Sequence, residues 1–196
     1  MRGVAVLLLL AACPRAAAPP APAGAVVEAP AASPLVAVDW ANRTYELTLL
    51  EGEGELPYPV VDGVYEDGDP DGGFHERVEV EVLGYGDLTS DGVEEAILRV
   101  TYASSDLDAF DTLFVFGAAP GGARVLGRIA GGKAGHGGIA AARVVDGALR
   151  LERRHAEDGD GACCPTHHRH ERWRWDGRFF VEDEAARRLA PVPAGR

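Results

Sequence analysis

The sequence predicts an all-β fold, an antiparallel meander that forms a sandwich or a partly open barrel. Two observations lead to this prediction. Apolar and polar residues alternate with a period of two along several segments, and glycine-containing turns separate those segments. No segment keeps a 3.6-residue apolar period over three turns, so at most one short helix is expected, over residues 182–189 near the C-terminus.

Period-two runs predict the strands of the first half of the domain, over residues 44–49, 78–82 and 96–102. In 78–82 the valines take one face and the glutamates take the other. The run Leu113-Phe114-Val115-Phe116 is apolar on both faces. That pattern is typical of a central strand that is covered on both sides.

Turn signals join the later strands. Asp146-Gly147 separates residues 142–145 from 148–154, and Asp176-Gly177 separates 172–175 from 178–181. An Asp-Gly pair between alternating segments predicts a hairpin, because glycine adopts the positive φ that the turn requires. Pro120-Gly121-Gly122 likewise joins 113–116 to 124–129. Consecutive hairpins predict the meander.

Two tryptophans in the last hairpin have two interpretations. Trp173 and Trp175 share a strand face, and Phe179 and Val181 lie across the turn from them. Such a ridge either binds a sugar or an aromatic ligand, or packs into the core. We favour the core, because large aromatic side chains on one strand face are more often buried than offered to a ligand.

The N-terminus has the pattern of an export signal. Arg2 is followed by the apolar run Val4–Leu10, and small residues precede Cys13 in Leu10-Ala11-Ala12-Cys13. This pattern resembles the lipobox of bacterial lipoproteins. The resemblance implies that residues 1–12 are a signal peptide, that Cys13 is acylated, and that a lipid anchors the chain to the membrane.

The rest of the chain divides into three parts. Residues 13–34 form the lipidated cysteine and a Pro/Ala-rich tether, since such a segment has too little apolar surface to fold. Residues 35–183 form a single β-rich domain, and residues 184–196 form a C-terminal tail. The predicted location is the bacterial cell envelope, at the outer membrane facing the periplasm if two membranes are present. With a net charge of −12, nucleic acid is not an expected partner.

An acidic loop is the clearest chemical signal. Asp87, Thr89 and Asp91 alternate before a glycine, and Glu95 follows at the ninth position. Alternating oxygen ligands suit calcium. The loop resembles the calcium loop of FG-GAP repeats, which implies carboxylates from Asp87, Asp91 and Glu95 and a carbonyl from Val93. Thr89 and Glu95 depart from that pattern, and one copy does not indicate a propeller. Asp and Gly also favour turns without any ion.

A second cluster concentrates thiols and imidazoles in eight residues: Cys163, Cys164, His167, His168 and His170. These groups suit zinc or copper. Zinc sites, however, usually separate their cysteines by two to four residues, and these two are adjacent. The alternatives are a disulfide between neighbouring cysteines and a purely structural pair. All three remain open at the level of sequence.

The sequence contains no Gly-x-Ser-x-Gly elbow, His-Glu-x-x-His helix or dinucleotide fingerprint. The leading expectation is therefore a non-enzymatic, lipid-anchored binding or structural domain with a calcium-stabilised loop and no other cofactor. Its protein or small-molecule ligand is left open. The first alternative is a transition-metal or redox module at the Cys–His cluster. The second is a hydrolase that has an unrecognised active site.

Overall fold

The structure, a computed structural model, describes residues 33–50, 52–133, 137–160 and 164–192. Strands dominate this part of the chain, and its helical elements are the two short 3-10 turns Pro34–Ala37 and Glu184–Ala186. The strands form antiparallel sheets in three layers around two cores. The all-β prediction is confirmed. Cys13, predicted to be acylated, lies outside the described residues.

The first layer is a hairpin of β1 (Arg43–Leu47) and β2 (Leu56–Val60). Tyr45, Leu47 and Tyr58 are buried on one face, and the Tyr45 hydroxyl donates a hydrogen bond to the Trp40 carbonyl. Leu35 of the first 3-10 turn packs into the same cluster. This layer covers one face of the middle sheet.

The middle layer is a five-stranded meander in which neighbouring strands follow one another along the chain. Its strands are β3 (Val64–Gly68), β4 (His75–Gly86), β5 (Glu95–Ser104), β6 (Leu107–Ala119) and β7 (Gly122–Lys133). Phe114 and Phe116 of β6 enter the first core, while Leu113 and Val115 enter the second. β6 is therefore the strand with two covered faces that the sequence predicts.

The third layer packs on the opposite face of the middle sheet. It contains β8 (Ile139–Val145), β9 (Ala148–His155), β10 (His167–Trp175), β11 (Phe180–Glu182) and β12 (Arg188–Pro191). Ile139, Leu149 and Leu151 are fully buried and form the second core with the inner residues of β5 and β6. The predicted Asp146-Gly147 turn joins β8 to β9, with positive φ at both residues.

The C-terminal segment differs from its prediction. The helix expected over 182–189 is reduced to the 3-10 turn Glu184–Ala186, and residues 188–191, expected as tail, form β12. β12 pairs with the first four residues of β10, whereas β11 pairs only with the last three. Residues 188–191 hydrogen-bond to backbone groups of β10 that would otherwise be unpaired. This pairing outweighs the weak local helix preference of the segment.

The last hairpin confirms that the tryptophans pack inward but corrects their partner. Trp173 packs against the second core, and the rings of Trp175 and Phe180 lie 5.0 Å apart. Phe179 and Val181, expected beside them, are exposed. The reason is a four-residue loop over 176–179, in which the Asp176 carboxylate accepts two backbone N–H groups, in place of the expected two-residue turn.

Candidate functional site

A cleft lies between the residues that follow β1, the first residues of β6 and the last residues of β7. Its volume is about 350 Å³. Apolar groups from three separate segments line it, namely Leu49, Leu50, Phe110 and Ala130. Strand alternation explains this wall, because Phe110 and Ala130 lie on the face of the middle sheet that the hairpin covers elsewhere.

Two cations mark the rim of this cleft. Arg128 donates a hydrogen bond of 2.6 Å to the Thr48 carbonyl, which ties β7 to the segment after β1. Lys133 pairs with Asp108 at 2.7 Å, and both side chains are largely exposed. A second concavity of about 390 Å³ shares Phe110 and Lys133 with the first and extends it toward the turn between β5 and β6. The result is an apolar wall with cationic edges.

A glycine sets the backbone of the cleft. Asp111 pairs with Gly132 and Thr112 pairs with Ala130, so Gly131 is the extra residue of a β-bulge. A Cβ at Gly131 would overlap the Asp111 carbonyl, whose carbon atom would lie 2.7 Å away. Only glycine fits this close approach of β7 to β6.

The buried carboxylate of Asp111 fixes the same region from below. Its Oδ1 accepts a hydrogen bond of 2.8 Å from the Thr101 hydroxyl, and its Oδ2 accepts one of 2.8 Å from the Ile139 N–H. Asp111 thereby links three strands, β5, β6 and β8. The floor of the cleft is rigid, since a buried carboxylate with both oxygens bonded is costly to move.

A buried ion pair lies behind the cleft, between the middle and third sheets. Arg153 Nε donates to Glu171 Oε2 at 2.9 Å, and both side chains are almost fully buried. The Trp173 indole and Arg169 donate to the same carboxylate, and Arg153 Nη1 donates to the Gly131 carbonyl. The ion pair therefore connects the third sheet to the bulge that forms the cleft.

The acidic loop closes on its own backbone. Asp87 accepts the N–H groups of Ser90 and Gly92 at 2.6 and 3.0 Å, and Asp91 accepts the Val93 N–H at 2.8 Å. Within the described residues, no group of three or more acidic, histidine or cysteine side chains is placed to hold a metal ion. These bonds are the ion-free turn chemistry that Asp and Gly favour. The calcium site stays a prediction.

Glu95 folds back onto the start of that loop. It is buried, and its Oε2 accepts the N–H groups of Leu88 and Thr89, while the Thr89 hydroxyl lies 3.1 Å from Oε1. Burial raises the pKa of Glu95 above its ordinary value, because desolvation outweighs these hydrogen bonds.

Glu95 should give stability a specific pH dependence. The carboxyl of Glu95 titrates at about pH 4.3 in the unfolded chain and at higher pH in the folded one. Its contribution to the free energy of unfolding is therefore complete below about pH 4.3 and is lost as the pH rises through the folded pKa. We expect the free energy of unfolding of wild type to fall relative to Glu95→Gln across that interval. Urea unfolding from about pH 4 to about pH 8 measures this difference. Glu94→Gln, which removes the neighbouring carboxylate, is the control. If the difference in free energy of unfolding between wild type and Glu94→Gln changes with pH in the same way, the assignment to Glu95 is wrong.

The predicted Cys–His cluster is divided by the alternation of β10. His168 and His170 lie on one face with ring centroids 6.5 Å apart, and their Nδ1 atoms are 3.9 and 3.7 Å from Glu152. His167 lies on the other face, 3.7 Å from Glu157. Cys164 is disulfide-bonded. Cys163 lies outside the described residues, so the metal and vicinal-disulfide hypotheses stay predictions.

Sequence reasoning missed the cleft and found only the loops. The cleft combines residues 49–50, 110 and 128–133, which no short motif connects. One signal was present: the glycine pair 131–132 interrupts an otherwise alternating strand, which is typical of a bulge or a close backbone approach. Comparison with protein families, curated proteins and solved structures finds no match to this chain.

Proposed function

We propose that this chain is a non-enzymatic, lipid-anchored domain of the bacterial cell envelope that binds a small amphipathic anion in its cleft. The cleft is the observation on which the proposal rests. Its volume of about 350 Å³ falls in the range of small-molecule sites, which are mostly apolar with a few placed polar groups. Leu49, Phe110 and Ala130 supply the apolar wall, and Arg128 and Lys133 supply cations for an acidic group.

The anchoring half of the proposal is supported by sequence. Leu-Ala-Ala-Cys at 10–13 and the Pro/Ala-rich residues that follow fit acylation and a tether. No helix in the described ranges is long and apolar enough to span a bilayer. In an organism with two membranes, Pro14 after the cysteine fits transfer to the outer membrane, with the domain facing the periplasm.

Binding of the fluorescent probe 1-anilinonaphthalene-8-sulfonate tests the cleft, because the probe combines an apolar ring system with one negative charge. We expect saturable binding at one site. The substitution Ala130→Trp fills the cleft and should weaken probe affinity at least about tenfold. A fluorescence titration against protein concentration gives the dissociation constants of the probe for wild type and for Ala130→Trp.

Ala118→Trp is the matched control, since Ala118 is an exposed residue of β6 outside the cleft. It should leave the dissociation constant unchanged. Equal loss in both variants, or fluorescence that rises without saturation, would contradict a defined site. Circular dichroism of each variant confirms that the sheets are intact.

A further inference from the structure

The outer face of the third sheet carries an unusual concentration of positive charge. Leu149, Leu151 and Trp173 face the second core, so the residues that alternate with them point to the opposite side. The register of β8, β9, β10 and β12 extends that surface across the sheet. We call it the arginine face, and its six arginines are Arg143, Arg150, Arg154, Arg172, Arg174 and Arg188.

The charge of this face opposes that of the chain. Among the described residues, two carboxylates, Glu152 on the face and Asp183 beside Arg172, accompany the six arginines, which leaves a net charge of +4 before its histidines are counted. The whole chain carries −12. The acidic residues Glu66, Glu79 and Glu81 of β3 and β4 pair instead with Arg77 and Arg99 of the middle sheet. The arginine face is therefore a basic surface on an acidic chain.

Three of these arginines form a row across adjacent strands. Arg143 pairs in register with Arg150, and Arg150 pairs with Arg172. Neighbouring strands lie about 4.8 Å apart, and like charges directly opposite each other destabilise a sheet. Arg143 reaches Glu152 at 3.4 Å, and Arg172 reaches Asp183 only at 3.8 Å, with its buried Nε lacking a hydrogen-bond partner. The row is incompletely neutralised within the described chain.

The row borders a recess and two apolar side chains. The recess has a volume of about 170 Å³, and its lining includes Arg143, Arg150 and Arg188. Guanidinium groups in this arrangement suit a phosphate group, which they bind through paired N–H donors. Val145 and Val181, both on this face, are 36% and 50% exposed. Cationic and apolar groups therefore share one surface.

We propose that the arginine face binds the anionic phospholipid headgroups of the membrane to which the chain is anchored. This inference rests on the proposed lipid anchor, which would keep the domain within reach of that surface and raise its effective concentration there. Arginines near an anionic membrane are attracted by its surface potential, and exposed valines enter the interfacial region. Lipid headgroups suit this face better than a rigid protein partner, because headgroups rearrange laterally to match the arginine row.

The overall negative charge does not prevent this orientation. Stacked sheets lie about 10 Å apart, so the carboxylates of the middle sheet are about one layer farther from a membrane that contacts the arginine face. Salt screens charges beyond about 8 Å at physiological ionic strength. The basic side therefore determines the attraction at contact.

The test uses full-length Cys13→Ser protein, which lacks an acyl chain, and sedimentation with vesicles. We expect binding to phosphatidylcholine vesicles that contain 30% phosphatidylglycerol (about one anionic headgroup in three), and no binding to pure phosphatidylcholine. Raising the salt from about 0.05 M to about 0.5 M should abolish binding. The double substitution Arg150→Glu/Arg172→Glu should weaken it by about tenfold or more.

The control is Arg77→Glu/Arg124→Glu, which changes net charge equally on residues of the middle sheet outside the cleft. It should retain binding. Equal loss in both double variants, or no vesicle binding by the Cys13→Ser protein that carries neither double substitution, would overturn the proposal. If wild type instead self-associates in sedimentation velocity and Arg150→Glu/Arg172→Glu prevents this, the partner is a second copy and the membrane assignment is wrong. Arg150→Gln/Arg172→Gln replaces the reversal variant if that variant fails to fold.

The lipid anchor and the headgroup-binding role of the arginine face are tested by separate experiments. Metabolic labelling with an alkyne-bearing palmitate should mark wild-type protein and not Cys13→Ser. Absence of label would overturn the anchor, while vesicle binding by the unacylated protein would still support the arginine face. Label without vesicle binding would support the anchor and overturn the headgroup site.

Discussion

Replacing Glu171 by glutamine is expected to lower the free energy of unfolding by about 3–5 kcal/mol. Glu171 is the acceptor for Arg153, Arg169 and Trp173, and its side chain is almost fully buried. The variant keeps the shape of the side chain but leaves the Arg153 charge buried without a counter-charge. Removing one partner of a buried pair is far more destabilising than the pair is stabilising. Urea unfolding at pH 7, followed by circular dichroism, measures the loss.

Glu152→Gln provides the matched control for Glu171→Gln. Glu152 lies one position from Arg153 on the opposite, solvent-facing side of the same sheet, and its contact with Arg143 at 3.4 Å involves an exposed guanidinium. Its loss should change stability by less than about 1 kcal/mol. Replacing both members of the buried pair, as Arg153→Met/Glu171→Leu, should recover part of the loss because no isolated charge remains. Similar losses for Glu152→Gln and Glu171→Gln would contradict the assigned role.

The strands were predictable where burial alternates cleanly. Val78, Leu98 and Phe114 lie on the buried faces that the alternation of apolar and polar residues in their own segments predicts. Asp146-Gly147 specifies its hairpin through local backbone geometry alone. The C-terminal segment was not predictable in this way. Whether residues 188–191 become helix or strand depends on an open edge of β10, and that edge is known only once the sheet has formed.

How far the candidate sites could be predicted also depends on whether their contacts are local or distant in sequence. Glu95 returns to Leu88 and Thr89 within one short loop, so its contacts are local in sequence. Arg153 follows Leu149 and Leu151 at a period of two, and this alternation places its side chain on the inner face of β9. Its partner Glu171 lies on another strand, so the ion pair depends on strand pairing. The cleft and the arginine face both need the pairing of strands, because their residues are neighbours only across the sheets.

Gly131→Ala is expected to destabilise the domain by about 1–3 kcal/mol, or more if the bulge cannot shift. The added Cβ would overlap the Asp111 carbonyl, and this obstacle is backbone rather than a movable side chain. Any displacement of β7 would also move the Gly131 carbonyl away from Arg153, to which it is now bonded at 2.5 Å. We therefore expect both a lower free energy of unfolding and weaker probe binding in the cleft.

Gly73→Ala separates this effect from the general consequence of replacing glycine. A Cβ at Gly73 meets nothing within 4 Å, and the residue needs no positive φ. Because alanine restricts the unfolded chain, that control should be neutral or slightly stabilising, by up to about 1 kcal/mol. Urea unfolding and probe titration of the two variants side by side decide the question. If Gly131→Ala matches Gly73→Ala in both measurements, β7 does not approach β6 as closely as the structure shows, and the bulge does not define the cleft.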